Sequence, residues 1–405
     1  MNVTRLYQAV RRTFASFHSL RIKEFTVTDR NVAPVMVETA QALNKACSSM
    51  LNAGIIGMDT EFVRTRNFFP KLGLIQVSTW KEIYLIDPLA LETLEPLAEV
   101  LTSQDVLKIF HSCDEDLEVL SFLCGTPPGP IFDTQVAAAY CGHGFQIGYQ
   151  GLVQAVLDVE LDKGETRSAW LKRPLTSSQV KYAAMDVACL IPIYARLVKQ
   201  LKDMGRITWV EEEMDILRRE ACAEITPDEY YTTLGYAWQY KGRDLAVLKS
   251  LFEWRECMAA ASDLPRNFLM KNKVVRSIAD KKPRSLRALS VITDVRPSIV
   301  RKHGKDITGR IRDALELPLE ACPEELPKPP NPRKIGKIVE RLKPIVQEEA
   351  ERLALPTELV ARRRCLTELA KNYLQGVTDD TIMPERLAGW RKQEFGDRLL
   401  QALKK

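Results

Sequence analysis

Short apolar runs alternate with amphipathic segments between residue 34 and about residue 210. Runs of aliphatic and β-branched residues predict strands at 55–58, 74–78, 83–86 and 107–110. Apolar residues at helical spacing predict helices over 36–52, 91–102, 114–123, 134–140, 148–157 and 176–203. Three strands follow one another before the helices dominate, so we expect a mixed sheet with helices packed on it.

Strand signals end at about residue 210, and the rest of the chain has a helical pattern. The segment that begins at Leu264-Pro265 aligns in register with the one that begins at Leu355-Pro356, 91 residues later. Further on, Ile307 and Ile311 align with Phe395 and Leu399. A match sustained over so many positions indicates two copies of one small helical domain.

These patterns divide the chain into five expected parts. They are a basic N-terminal extension at 1–30, an α/β domain at 31–210, a linker helix with the first helical domain at 211–322, a proline-rich linker at 323–332 and the second helical domain at 333–405.

Composition excludes several classes of protein. Of the 405 residues, 45% are hydrophobic and 27% charged, as in ordinary globular proteins, and no apolar stretch is long enough to cross a membrane. An integral membrane protein is therefore excluded. The nine cysteines are scattered and form no C-x-x-C pair, which predicts buried thiols in a reducing compartment and not a disulfide scaffold or a zinc site.

Charge is distributed unevenly along the chain. Residues 1–24 carry a net charge of +4, residues 25–205 carry −6 and residues 206–405 carry +7. Carboxylates next to a basic region suit a metal-dependent enzyme with a polyanionic substrate, although ordinary solvated faces would give the same charge counts. Residues 1–23 contain no acid, a composition typical of an organellar transit peptide, a basic amphipathic arm or a frayed extension.

The first candidate site residues are Asp59 and Glu61, which directly follow the apolar run 55–58. Side chains alternate along a strand, so both carboxylates project from one face and could share a divalent cation. An exposed strand end is the alternative interpretation. Apolar residues on both sides of the pair argue against it, because two like charges there repel unless a cation or proton intervenes.

Two further acidic motifs lie on predicted helices. Asp114 and Glu115 suit the first turn of a helix, where they complement its dipole, and Asp116 lies further in. Thr176-x-x-Gln179 forms a capping box that starts the last helix, and the i,i+4 spacing stacks Tyr182 over Asp186. Asp186 is surrounded by apolar residues, so a cationic partner explains it better than burial alone.

Together these motifs closely resemble the ribonuclease D family of the DEDD 3′–5′ exonucleases. In chain order they are Asp59-Thr-Glu61-Phe, Leu74-Ile-Gln-Val, Glu115-Asp116-Leu-Glu-Val, Phe132-Asp133-Thr-Gln, Trp170-x-x-Arg173-Pro174-Leu and Tyr182-Ala-Ala-x-Asp186. The resemblance covers roughly residues 30–210 and implies a ribonuclease H-like α/β fold. The helical repeats look like the paired all-α HRDC domains of that family.

The resemblance implies a 3′–5′ exoribonuclease that uses two divalent ions, Mg²⁺ or Mn²⁺, and releases 5′-monophosphates. It implies metal ligation by Asp59, Glu61, Asp116 and Asp186, with Tyr182 orienting the attacking water. The superfamily carries either a tyrosine four residues or a histidine five residues before its last aspartate. Tyr182 fits the tyrosine subclass, whereas His111 has the histidine spacing only to Asp116, in the second motif.

Other expectations concern the substrate, the oligomeric state and the location. The resemblance implies an RNA substrate, with tRNA precursors as the substrate class. We expect a monomer, with unknown protein partners, in the cytoplasm, and the basic N-terminus makes an organelle the alternative location. A DNA exonuclease and a non-catalytic nucleic-acid-binding adaptor are the alternative functions.

Asp133 is expected to cap a helix. The candidate RNA contacts are Phe68, Phe69, Lys172, Arg173, Lys271, Lys273, Arg362 and Arg364.

Overall fold

The computed structural model describes residues 33–161, 168–222, 225–378 and 380–404. The expected N-terminal extension lies outside these ranges. The chain divides into two compact units. Among the described residues, the first unit comprises those up to Val63, those from Leu72 to Cys222 and those from Pro330 onward, and the second unit comprises Arg64–Lys71 and those from Ile225 to Pro329.

A six-stranded sheet in the order β1-β4-β3-β2-β5-β6 forms the centre of the first unit. Its strands β1 to β6 are Val35–Val37, Ile55–Val63, Lys71–Ser78, Ile83–Ile86, Leu107–Phe110 and Ile131–Asp133. β1 pairs with β4 and β5 pairs with both β2 and β6 in parallel, whereas β3 and β4 are antiparallel. The expected mixed sheet with flanking helices is confirmed.

Helices flank the sheet in the first part of this unit. They are α1 Ala40–Ala53, α2 Glu95–Thr102, α3 Asp114–Cys124, α4 Thr134–Tyr140, α5 Tyr149–Leu157, α6 Ser177–Ala188, α7 Leu190–Asp203 and α8 Ile207–Cys222. Aliphatic residues of the strands, such as Ile55, Leu74, Leu85 and Ile109, are fully buried beneath them. This burial is the main favourable contribution to folding of the domain.

Local patterns missed three details of this fold. The helix expected over 36–52 begins only at Ala40, because residues 35–37 pair with β4 as an edge strand. The strand 131–133 was not predicted, since three residues are too short for a clear alternation. The single helix expected over 176–203 is two helices that meet at Cys189.

The C-terminal helices belong to the same unit as the sheet. They are α14 Pro332–Leu353, α15 Thr357–Val360, α16 Arg363–Leu374 and α17 Asp397–Lys404, with a π-helical turn at Lys392–Gly396 before α17. Trp390 stacks on Trp209 of α8 with ring centroids 4.3 Å apart. This stacking contact between the two indole rings joins the C-terminal helices to the α/β part of the unit.

The second unit is helical, apart from the segment 64–71. Its helices are α9 Gly242–Ala261, α10 Arg266–Leu269, α11 Asn272–Lys281, α12 Leu286–Ser290 and α13 Pro297–Glu316. Its core includes Leu248, Phe252, Ile278 and Ile307. α10 and α11 begin 91 residues before α15 and α16, so the repeat detected in the sequence is a structural repeat.

No helix in the described part of the chain is long and apolar enough to cross a membrane. The cysteines in the described ranges form no disulfide, and five of them are buried, namely Cys47, Cys113, Cys141, Cys189 and Cys365. Cys257 is exposed, in contrast to the buried thiols expected from the sequence.

Candidate active site

Three carboxylates from two elements meet beside the middle of β2. One oxygen each of Asp59, Glu61 and Asp186 lies within 4.8 Å of the other two. Asp59 and Glu61 share a face of β2, and Asp186 lies on α6. The predicted convergence of the first and last motifs is therefore present in the structure.

The N-terminal cap of α6 sets the position of Tyr182 and Asp186. The Thr176 hydroxyl accepts from the backbone N–H of Gln179, and the Gln179 side chain accepts from the Thr176 N–H, which completes the predicted capping box. One turn of helix separates Tyr182 from Asp186, and the phenol hydrogen-bonds to the carboxylate. The ring of Trp170 lies 6.1 Å from the Tyr182 ring.

Asp116 reaches the same region from the first turn of α3. The hydroxyl of Thr60 donates to Asp116 Oδ1 at 2.5 Å, and both residues are buried. Thr60 lies between the two acids of β2, so this bond ties the second motif to the first. Asp116 is outside the set of three whose oxygens converge, but its charge raises the pKa of both Asp59 and Glu61.

The four carboxyl groups have raised pKa values because they are buried close together. Burial, followed by the charges of Asp116, Asp186 and Glu61, holds the pKa of Asp59 well above its usual value. Burial and neighbouring acids raise the pKa of Glu61 to about 8, and burial raises the pKa of Asp116 to about 7 and that of Asp186 to about 6. Bringing a cation to the cluster would relieve this repulsion.

The donor set fits a hard divalent cation. All of the candidate ligand atoms are carboxylate oxygens, which Mg²⁺ and Mn²⁺ prefer. Zinc sites draw on histidine and cysteine, and the described cluster contains neither. The arrangement can therefore hold a divalent ion and stabilise charge on a phosphodiester.

His111 is engaged in contacts with other groups. Its Nδ1 lies 2.9 Å from the Thr134 hydroxyl and its Nε2 lies 3.0 Å from the carbonyl oxygen of Ile147. Burial lowers the pKa of this imidazole. These contacts occupy both ring nitrogens and support the choice of Tyr182 over His111.

Asp133 caps helix α4, as expected. Its Oδ1 accepts from the backbone N–H groups of Gln135 and Val136, and its Oδ2 accepts from the N–H of Cys113. The carboxylate is 1% exposed and its oxygens have backbone partners. It therefore stabilises the junction of α3 and α4.

The Arg173 guanidinium is hydrogen-bonded to other groups of the protein. Its guanidinium donates twice to Asp87, to the Gly73 carbonyl at 2.6 Å and to the Trp170 carbonyl at 2.8 Å. An RNA contact by Arg173 stays a prediction, and so does one by its exposed neighbour Lys172.

Phe68 and Phe69 belong to the second unit, where the Asp263 carboxylate accepts from both of their backbone N–H groups, at 3.0 and 3.2 Å. The Asn67 side-chain amide donates to the same carboxylate at 2.5 Å. The guanidinium of Arg266 lies 4.6 Å from the centre of the Phe68 ring, while Phe69 is 38% exposed. The sequence offered no signal for Asp263, because its partners are almost 200 residues away.

The remaining RNA candidates lie at equivalent places in the two repeats. Lys271 and Arg362 are the residues before α11 and α16, and neither helix has a side-chain cap. Lys273 pairs with Asp294 at 2.6 Å, and Arg364 lies 3.6 Å from Glu220. The Arg362 guanidinium lies 5.9 Å from the Phe145 ring centre.

Comparison with known proteins agrees with this geometry. A family model described as "3′–5′ exonuclease" matches residues 34–202, and one described as "HRDC domain" matches residues 244–311. The chain is 38% identical over 363 residues to ribonuclease D of Pseudomonas paraeruginosa, and the match covers 89% of this chain and 95% of that relative. The chain belongs to the ribonuclease D family.

Other members of the ribonuclease D family give the same result. The protein is 33% identical to Escherichia coli ribonuclease D over 90% of this chain and 96% of that relative. The crystal structure of the E. coli enzyme, described as an exoribonuclease involved in structured RNA processing, superposes with a TM-score of 0.83 over 92% of this chain and 98% of that chain. This member of the family is a 3′–5′ exoribonuclease that uses a divalent metal and acts on RNA.

Proposed function

We propose that this protein trims the 3′ ends of structured RNA, tRNA precursors among them, by hydrolysis with two divalent metal ions. The convergence of Asp59, Glu61 and Asp186 within 4.8 Å, with Asp116 tied to Thr60 beside them, is the observation that carries the proposal. Each cycle releases a 5′-nucleoside monophosphate and leaves a 3′-hydroxyl on the shortened strand.

Four carboxylates hold the ions in this proposal. Asp59 would be the ligand common to both ions, Glu61 and Asp186 would complete the ion on the nucleophile side, and Asp116 would hold the other. Bound Mg²⁺ or Mn²⁺ would supply the activation of the attacking water and the stabilisation of the leaving oxygen. The all-oxygen donor set supports these metals.

Tyr182 orients the attacking water through its phenol. Its hydrogen bond to Asp186 places the hydroxyl beside a proposed ligand of the nucleophile-side ion. Burial and the charge of Asp186 raise the pKa of this phenol, so it stays protonated at neutral pH and acts as a hydrogen-bond donor.

The RNA strand contacts aromatic and basic side chains in this proposal. Phe69 offers an exposed ring on which the terminal base can stack. Phe68, whose ring lies beneath the Arg266 guanidinium, is the second aromatic contact in this proposal. Basic residues at equivalent helix starts in the two repeats contact phosphates, and Lys172 and Arg173 are weaker candidates. The repeat residues are Lys271, Lys273, Arg362 and Arg364.

We further propose a monomer that works in the cytoplasm, with an organelle as the alternative location because of the basic residues 1–24. The relatives favour an exoribonuclease over a DNA exonuclease. The full set of carboxylates with Tyr182 likewise speaks against an adaptor that does not cut.

A comparison of two substrates tests the proposal. A tRNA with a 3′ extension and a single-stranded DNA of equal length are incubated with the chelated protein, to which Mg²⁺, Mn²⁺ or Zn²⁺ is then returned. We expect stepwise release of 5′-monophosphates from the RNA with Mg²⁺ or Mn²⁺. Equal trimming of the DNA would contradict the assigned substrate class, and activity that survives chelation would contradict metal catalysis.

A further inference from the structure

Gln76 is a fully buried polar residue in β3. Neither the nitrogen nor the oxygen of its side-chain amide has a hydrogen-bond partner among the described residues. A buried amide without partners costs about 1–3 kcal/mol, a cost that an apolar side chain of the same size would avoid. An uncompensated group of this kind therefore calls for an explanation.

The side chain of Gln76 lies on the face of the sheet that packs against α6 and α7. Residues 75–78 pair with β4 in regular register, so Gln76 and Ser78 share a face. The Ser78 hydroxyl donates to the carbonyl oxygen of Val187 at 2.7 Å. Val187 directly follows Asp186, so this face of β3 is covered by the helix that carries the last acidic motif.

The register of β2 and β3 places Gln76 across from Asp59. The strands are neighbours joined by residues 64–70, a connection too short for a parallel crossover, so they run antiparallel. A methyl group added at Gly57 would lie 2.6 Å from the Ser78 hydroxyl oxygen, so Gly57 lies beside Ser78. Asp59 lies two residues after Gly57 along β2, and Gln76 lies two residues before Ser78 along β3. In an antiparallel pair these two residues therefore face each other, with Cβ atoms roughly 5 Å apart.

We propose that Gln76 is a positioning residue of the metal centre: its amide has no partner in the part of the chain that the structure describes, and when a divalent cation is bound its N–H donates to the Asp59 carboxylate and orients that carboxylate toward the cation. This inference rests on the proposed metal centre. Ionised Glu61, Asp116 and Asp186 can only accept hydrogen bonds, whereas the Gln76 amide supplies two donors. Outer hydrogen bonds that orient ligating groups typically contribute 10–100-fold to metal affinity.

The test separates metal binding from turnover. Gln76→Met keeps the length and volume of the side chain and removes its donors. Mg²⁺ binding to the full-length chain is measured by calorimetry without RNA, and melting is measured on the chelated protein. Tyr194→Phe is the control, because it removes a hydroxyl from an equally buried side chain that packs on Phe132, outside the carboxylate cluster.

We expect Gln76→Met to weaken Mg²⁺ binding at least about 10-fold, with an unchanged or higher melting temperature of the chelated protein, while Tyr194→Phe leaves Mg²⁺ affinity unchanged. Mg²⁺ affinity within twofold of wild type would overturn the proposal. So would a melting temperature lower than that of Tyr194→Phe, because the amide would then be a structural group. Failure of the wild type to bind Mg²⁺ would instead refute the metal centre itself.

Discussion

The guanidinium of Arg391 donates to the carboxylate of Glu213 at 2.5 Å, and both side chains are about 6% exposed. Glu213 lies on α8, and Arg391 lies directly before the π-helical turn of the C-terminal helices. Arg391 also donates to the carbonyl oxygens of Leu359 and Val360, and the Tyr140 hydroxyl donates to Glu213 at 3.2 Å. This buried network joins two parts of the first unit that are distant in sequence.

Arg391→Met should lower the free energy of unfolding by about 3 kcal/mol, because removing one partner leaves a buried charge without compensation. Arg386, whose guanidinium lies 3.4 Å from the Glu213 carboxylate, partly compensates that charge and so reduces the loss of stability. Urea unfolding measures the change. Arg219→Met is the matched control, since its ion pair with Glu385 is exposed and should contribute less than about 1 kcal/mol. Equal effects of the two variants would show that the buried pair has no special weight.

Asp59→Asn, Glu61→Gln, Asp116→Asn and Asp186→Asn should each reduce turnover at least about 1,000-fold, since each removes a proposed metal ligand. The chelated variants should melt at the same or a higher temperature than wild type, because each change removes repulsion among the acids. Single-turnover trimming and thermal melting measure the two effects.

Glu115→Gln serves as the control for these variants, because Glu115 is an exposed acid next to Asp116. It should leave turnover unchanged. If Asp59→Asn kept more than about a tenth of wild-type activity, the activation free energy would have risen by less than about 1.4 kcal/mol. Such a small change would contradict the bridging role of Asp59.

The chelated protein should lose stability as pH rises from about 5 to 8. The folded-state pKa of Glu61, about 8, and that of Asp186, about 6, lie above their usual values, so the folded protein binds more protons than the unfolded chain in this window. Stability therefore falls as these groups ionise. Added Mg²⁺ should remove or reverse the slope. Melting temperatures at several pH values with and without Mg²⁺ provide the measurement, and a flat profile of the chelated protein would count against the raised pKa values.

Tyr182→Phe should reduce kcat by roughly 10–1,000-fold while RNA affinity hardly changes, because only the hydroxyl that orients water is lost. A tyrosine that serves packing alone would instead lose a hydrogen bond, about 1 kcal/mol of stability, and keep its turnover. Single-turnover kinetics on a 3′-extended RNA, with melting of the same samples, separates the two outcomes. An unchanged rate would remove Tyr182 from the proposed mechanism.

Asp263→Gly should accelerate amide hydrogen exchange at Phe68 and Phe69, because the carboxylate that accepts from both N–H groups is removed. Asp263 has a positive φ of 47°, which glycine adopts without strain. The control is Asp294→Gly, since Asp294 also has a positive φ but pairs with Lys273. Exchange that is equally slow in Asp263→Gly and wild type would mean that other contacts hold this segment.

The sequence by itself determined the features that depend on local periodicity. Alternation in β2 put Asp59 and Glu61 on one face, the capping box of Thr176 and Gln179 began α6, and helical spacing set Tyr182 beside Asp186. The mixed sheet and the helical repeat were likewise predictable, since both rest on patterns that recur along the chain.

Only the tertiary structure decided which distant groups meet. Three contacts join residues that are far apart in sequence. They are the hydrogen bond from Thr60 to Asp116, the hydrogen bonds that Asp263 accepts from residues 67–69, and the buried ion pair of Arg391 with Glu213. Their partners are selected by how whole elements pack, and no local periodicity encodes that. The same holds for the edge strand 35–37, which is a strand only because β4 pairs with it.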